Sequence, residues 1–380
     1  MSAAIPNRTR DDGEIRALTG LRGLAAPLVA IFHFKLNNAF FQLDHTPSPA
    51  ARSLGRFIDH GYLGVDLFFV LSGFVMAISY GRMFENGFSW SGYALFLRRR
   101  LARVYPLYLA TTLATALLFL LHATPPAFWT TLGLNLALVQ AWGFAPTLNA
   151  PGWSISTEWG AYLLFPLLLD VTLASRNKTA LLVGGLSLAL LALIAALPTT
   201  LVFGRVGPLD AHDASSPLPL LRCLAEFSLG LLCVRATRML ALGPRSSAGL
   251  ALAASGLLVV LMMLPGTDLA IVLLFAALIL ALERRHGVVA GILGHPLIHG
   301  LGVLSYSFYL LHFRFIWFER VLRDRLPGLL GHDAREAIAL LVTFTLLLGL
   351  SALTYAIIEK PARVWLRGGS ARQLGRSRPA

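Results

Sequence analysis

The sequence is short of charge. Charged residues make up 13% of its 380 positions, where a soluble domain carries about 25%. A soluble protein of this length would need far more to cover its surface. Cysteine is scarcer still. Cys223 and Cys233 are the two present, and they sit on one helical stretch with about 15 Å of rise between them, beyond disulfide reach. That excludes a secreted disulfide scaffold. No Walker or GxGxxG signature occurs. No internal repeat stands out, which counts against transporters built from inverted repeats. A hydrophobic content of 56% excludes disorder. Acidic residues number 19 against 32 Lys and Arg, a net charge of +13.

What is present is a series of apolar runs from Leu18 to Ile358. They predict an all-α fold, a polytopic membrane bundle of about ten helices at 17–36, 62–80, 101–121, 152–173, 180–199, 218–234, 247–264, 268–282, 296–318 and 336–358. With the N-terminus inside, most of the basic residues fall on inner segments and the outer segments come out close to neutral. The excess is positive-inside bias with both termini cytosolic, and it implies no nucleic-acid partner. The chain divides into a cytosolic tail (1–16), a membrane-embedded body (17–358) and a basic tail (359–380). Residues 132–142 are too short to cross a bilayer and read as re-entrant or interfacial. Residues 200–217, rich in Gly, Pro, Asp and Ser, read as a loop. Arginine outnumbers lysine 29 to 3, which points to a GC-rich bacterial genome and so to the bacterial inner membrane.

Ionisable residues at membrane depth are costly and mark function by default. Arg22 and His33 share one face of the first span, about 16 Å apart in height, with Arg22 near the inner boundary. Asp66 lies about a turn below the outer surface, at the depth of His33. A carboxylate there would fix the imidazole's tautomer; the plainer reading is an aspartate favouring a helix start. Arg98, Arg99, Arg100 and Arg103 crowd the inner side. They read as a topology anchor or as a phosphate site whose guanidinium forks take oxygens in pairs. The fourth span opens with Trp153 and Ser154, then carries Glu158 and Tyr162. Ser154, Glu158 and Tyr162 share a face, and Pro166 should kink the helix. In the ninth span Ser305, Tyr309 and His312 follow one face. His295 and His299 lack a third ligand nearby, so no metal is expected. His33, Asp66, Glu158 and His312 are thus expected together in the outer third, and the arginines on the inner side.

These residues resemble the acyltransferase 3 family of integral membrane O-acyltransferases. The resemblance rests on Thr19-Gly20-Leu21-Arg22-Gly23 with His33, on Gly64-Val65-Asp66-Leu67-Phe68-Phe69-Val70-Leu71-Ser72-Gly73, and on Arg99-Arg100 with Arg103 and Pro106. It continues through Trp153-Ser154-Ile155-Ser156 with Glu158, Ser305-Tyr306-Ser307 with His312, and Glu359-Lys360-Pro361. It implies transfer of an acyl group, often acetyl, from cytosolic acyl-CoA to a hydroxyl on an extracytoplasmic glycan or glycolipid. The family's essential positions fall on Arg22, His33, Arg99, Arg100 and Arg103. Many members read Glu-Glu-Gln where this chain has Glu158-Trp159-Gly160, so a second carboxylate is absent.

The roles that follow are these. Arg99, Arg100 and Arg103 bind the coenzyme phosphates, and Arg22 presents the thioester. His33 is the general base, oriented by Asp66 or Glu158. Trp153, Ser154, Tyr306, Tyr309 and His312 line the acceptor site, and one hydroxyl or imidazole of the ninth span supplies the oxyanion donor. A covalent acyl-enzyme stays open. The rival class is a proton-coupled transporter or flippase of a glycolipid or anionic substrate, which would use the same buried groups as a relay and need no acyl donor.

Overall fold

The computed structural model describes residues 14–37, 48–202, 204–329 and 331–365. The tail before residue 14 and the basic tail after residue 365 lie outside them. The described chain is helical, with no strand among the described residues. In order the helices are α1 (Arg16–Asn37), α2 (Pro49–Asp59), α3 (Gly64–Tyr80), α4 (Trp90–His122), α5 (Phe128–Leu136), α6 (Gly152–Leu163), α7 (Phe165–Leu169), α8 (Asn177–Ala196), α9 (Leu218–Leu240), α10 (Pro244–Met262), α11 (Asp268–Leu282), α12 (Val288–Gly294), α13 (Pro296–Arg325) and α14 (His332–Thr354). Among the described residues seven helical stretches are long and apolar enough to cross a membrane. They contain α1, α3, α4, α8, α10, α13 and α14. The other three expected spans fall on the broken α6–α7, on α9 with its internal charges, and on the 15-residue α11.

Two departures from the sequence reading matter. Residues 49–59, expected as part of a loop, form α2, started by Ser48 accepting from Ala51 N–H and by Pro49 in the first turn. Its 11 residues are too short for a span, and Arg52 and Arg56 interrupt any apolar run. α4 begins at Trp90, ahead of the expected span, so the arginine cluster is helical. At 33 residues it is about 50 Å long, well beyond the hydrocarbon core. The stretch 122–151 folds as α5 and a 3-10 turn at Gln140–Trp142. Pro166 does interrupt its helix. The break falls at Leu164, and Tyr93 Oη donates to the carbonyl of Leu163 there at 2.9 Å.

The core is set by two close helix crossings. α1 runs along α13, and α3 along α9. A Cβ on Gly23 would stand 2.5 Å from Ile298 O, and one on Gly302 1.9 Å from Thr19 O. At α3–α9, a Cβ on Gly73 would meet Phe227 O at 2.0 Å, and one on Gly230 would meet Val70 O at 1.9 Å. Backbones this near each other admit only glycine, the usual device for joining helices in lipid, where no hydrophobic force drives them together. The glycines of Thr19-Gly20-Leu21-Arg22-Gly23 therefore bring α1 against α13, and with it His33 against His312.

Candidate active site

Among the cavities lined by the described residues, two hold the candidate site residues. The first has a volume of about 520 Å³, within the range of small-molecule sites. Arg22 from α1, Arg99, Arg100 and Arg103 from α4, Glu158 from α6 and Tyr306 from α13 line it. Ser72 of α3 donates to Glu158 Oε1 at 2.5 Å and stands 3.4 Å from Tyr162 Oη. Arg100 is buried, donates to Tyr80 Oη at 2.5 Å, and has its guanidinium carbon 4.6 Å from that ring's centre. Its Nε has no hydrogen-bond partner among the described residues. Tyr306 Oη donates to Val104 O at 2.5 Å and ties α13 to α4. Four arginines facing one carboxylate leave a surplus of positive charge, suited to phosphate.

The second cavity, about 280 Å³, is lined by His33, His312, Trp153, Asp210, His212 and Arg222 among others. His33 Nδ1 lies 2.8 Å from Val29 O and 3.3 Å from His312 Nε2, while His312 Nδ1 lies 2.5 Å from Tyr309 O. Carbonyl oxygens only accept, so His312 carries its proton on Nδ1 and accepts on Nε2. His33 then also carries its proton on Nδ1, shared between Val29 O and His312. In the neutral ring this puts the lone pair of His33 on Nε2.

Tyr309 and Val65 line both cavities. Ser154 Oγ donates to Pro151 O at 3.1 Å, so at 2.9 Å Tyr309 Oη donates to Ser154. This hydrogen bond, with Phe69 edge-on to Trp153, forms the wall between the chambers.

The expected residues thus divide differently from the sequence reading. His33, His312 and Trp153 meet in the second cavity. Arg22, Arg99, Arg100, Arg103 and Tyr306 meet in the first, and Ser154 and Tyr309 stand between. Glu158, expected beside His33, faces the arginines instead. Asp66, expected to orient His33, is fully buried and paired with Arg222. Arg222 Nε donates to Asp66 Oδ1 at 2.9 Å, and Nη2 donates to Oδ2. A guanidinium on α9 outcompetes an imidazole for a buried carboxylate because it is always charged and forks to both oxygens. Glu226, one turn on, is 3.6 Å from Arg222 Nε. Arg222 carried the signal of an intramembrane arginine. The presence of Asp210 and His212 had no comparable signal, since both sit in a loop. His299 stands 2.9 Å from Glu14 Oε1, and no cluster of three or more His, Cys, Asp or Glu suited to a metal occurs among the described residues.

A helical bundle with a cationic chamber and a histidine chamber meeting at one wall can hold two reactants side by side. The family model for an acyltransferase domain, Acyl_transf_3, matches residues 15–358, and the chain belongs to that family. It is similar to Acyltransferase MdmB of Streptomyces mycarofaciens, 29% identical over 394 aligned positions that cover 96% of this chain and 93% of that protein. It is also similar to Protein 2 in picA locus of Rhizobium radiobacter, 37% identical over 103 positions, 27% of this chain and 44% of that one. No solved structure matches. The chain is an integral membrane O-acyltransferase.

Proposed function

We propose that the protein carries an acyl group, acetyl in the first instance, from cytosolic acyl-CoA to a hydroxyl of an extracytoplasmic glycan or glycolipid. It would cross the bacterial inner membrane about ten times with both termini in the cytosol. The observation that carries this reading is the meeting of the two cavities at Tyr309. Arg99, Arg100 and Arg103 take the coenzyme phosphates at the first chamber, and Arg22 draws the thioester end inward. The acceptor occupies the second chamber. His33 Nε2 removes the hydroxyl proton as the oxygen attacks the thioester carbon. The carbon–sulfur bond breaks, the ester forms, and the proton passes to the departing thiolate to give free CoA. Removing such a base costs about 10²–10⁴-fold.

The test is donor binding. Arg99→Ala with Arg100→Ala should leave insertion intact and weaken acetyl-CoA binding, each lost charge-assisted contact costing about 1.5–3 kcal/mol. Lysine at both positions should restore part of it, since an ammonium cannot fork. Unchanged affinity in the double variant would reduce these arginines to a topology signal. A transporter of another substrate would show no dependence on acyl-CoA.

A further inference from the structure

The connection between α8 and α9 is built as a fixed piece. Arg205 donates to five main-chain carbonyls: Gly207 (2.9 Å), Ile194 (3.5 Å), Leu197 (2.5 Å), Ala195 (2.6 Å) and Pro208. Ile194 and Ala195 belong to the last turn of α8, whose carbonyls have no partner within the helix. From the α9 side, Arg222 donates to Ala211 O at 3.4 Å while holding Asp66. The N–H of Leu209 is shared by Tyr62 Oη (3.3 Å) and Asp268 Oδ1 (3.4 Å). A loop fastened at so many points can aim a side chain.

What it aims is a carboxylate–imidazole pair. His212 Nδ1 donates to Asp210 Oδ1 at 2.9 Å, and Asp210 Oδ2 accepts from Val206 N–H at 3.0 Å. Asp210 is buried, while the His212 side chain is 42% exposed, so an arriving molecule can reach it. His212 Nε2 lies 3.7 Å from where a side chain at Gly204 would begin, and Gly204 also lines the second cavity. The sequence led one to expect a histidine oriented by an aspartate at His33 and Asp66. The structure builds that arrangement from the loop instead.

We propose that Asp210 and His212 form the acceptor-holding site of the second cavity, His212 Nε2 hydrogen-bonding a hydroxyl beside the one that is acylated. The proposal rests on the transfer reading above. Asp210 fixes the ring's tautomer and direction, as a carboxylate does for a metal-binding or catalytic histidine. The acceptor so held is an uncharged polyhydroxyl compound. Arg222 is matched by Asp66, and His212 by Asp210, so no surplus charge remains to recruit an anion. Trp153 and Tyr62 line the same space and offer aromatic faces to a ring. The small volume admits a terminal unit rather than a chain. The contact with Asp210 raises the His212 pKa above the ordinary imidazole value. Burial and Arg222 oppose the rise, and Asp213 adds to it. His33 lines the same cavity. Below the raised value both ring nitrogens donate.

The experiment uses the full chain in lipid nanodiscs, with radiolabelled acetyl-CoA as donor and a panel of octyl glycosides of common hexoses and deoxyhexoses as acceptors. His212→Ala should raise KM for the best glycoside about tenfold or more, the loss of one good hydrogen bond. It should move kcat far less, and acetyl-CoA should bind as before, which shows that the variant is folded. His212→Gln, whose amide can donate to the same hydroxyl, should recover part of the loss, and Asp210→Asn should fall between. An unchanged glycoside KM in His212→Ala would overturn the proposal and leave the pair as a loop fastening. A fall in kcat at constant KM would overturn it too, moving the pair into the bond-making step. If the unaltered protein binds acetyl-CoA yet acylates no glycoside, the transfer reading itself fails, and the role of the pair with it.

Discussion

His33 and Asp66 separate a chemical role from a structural one. The Nδ1 proton of His33 is shared between Val29 O and His312, and Nε2 is the atom proposed as base. His33→Ala should cut transfer by about 10²–10⁴-fold while acetyl-CoA still binds. In the unaltered protein the rate should fall as pH drops through the imidazole pKa, because only the neutral ring takes a proton. Asp66→Asn should act through stability. It takes the charge from a buried pair and leaves Arg222 uncompensated, a loss of about 3–5 kcal/mol when one partner of such a pair is removed. Thermal unfolding in nanodiscs would check both. A melting point like the parent's in Asp66→Asn, with transfer abolished, would return the aspartate to the chemistry. Near-normal transfer in His33→Ala would remove His33 from its role. The sequence identified both residues as exceptional, since each is ionisable inside an apolar run. It misassigned the partner of Asp66 because Arg222 lies 156 positions along the chain, a separation no periodicity reveals. Glu158 shows the same gap: its place in the span sets it beside His33, but the Ser72 contact and the arginines claim it.

Helices meet in this protein through glycine. At the α1–α13 crossing Gly302 lies against Thr19 O with no room for a side chain, whereas Gly300 two residues earlier has open space around it. Gly302→Val should therefore push the helices apart, costing about 1–3 kcal/mol or more of stability, and should also weaken transfer by separating His33 from His312. Gly300→Ala should melt like the parent. Thermal unfolding of the two variants side by side checks this, and equal melting points would mean that the crossing yields without cost. The long apolar helices were legible from their runs, and the interruption at Pro166 from the residue's missing donor. The loop between α8 and α9 was legible only as a loop. Its composition gives Gly, Pro, Asp and Ser, but Arg205 folding back onto α8 and Arg222 fastening Ala211 are tertiary facts. The pair Asp210–His212 becomes a site only once those contacts fix it.

At the scale of the whole molecule, the proposed orientation gives charge and chemistry one polarity. The basic excess that sets the expected orientation also supplies the arginines of the first cavity, and the histidines gather in the second. The central claim is that an acyl group passes from a donor on the cytosolic side to an acceptor on the other. Right-side-out vesicles test it most directly. They would carry the full chain, enclose radiolabelled acetyl-CoA, and meet a panel of glycosides bound to beads in the outer medium. The account predicts ester-linked label on the beads. That label should fall sharply in the Arg99→Ala, Arg100→Ala variant and in His33→Ala. Beads that gain label only when acetyl-CoA is added on their own side, or label that crosses as intact acetyl-CoA or free acetate, would contradict it.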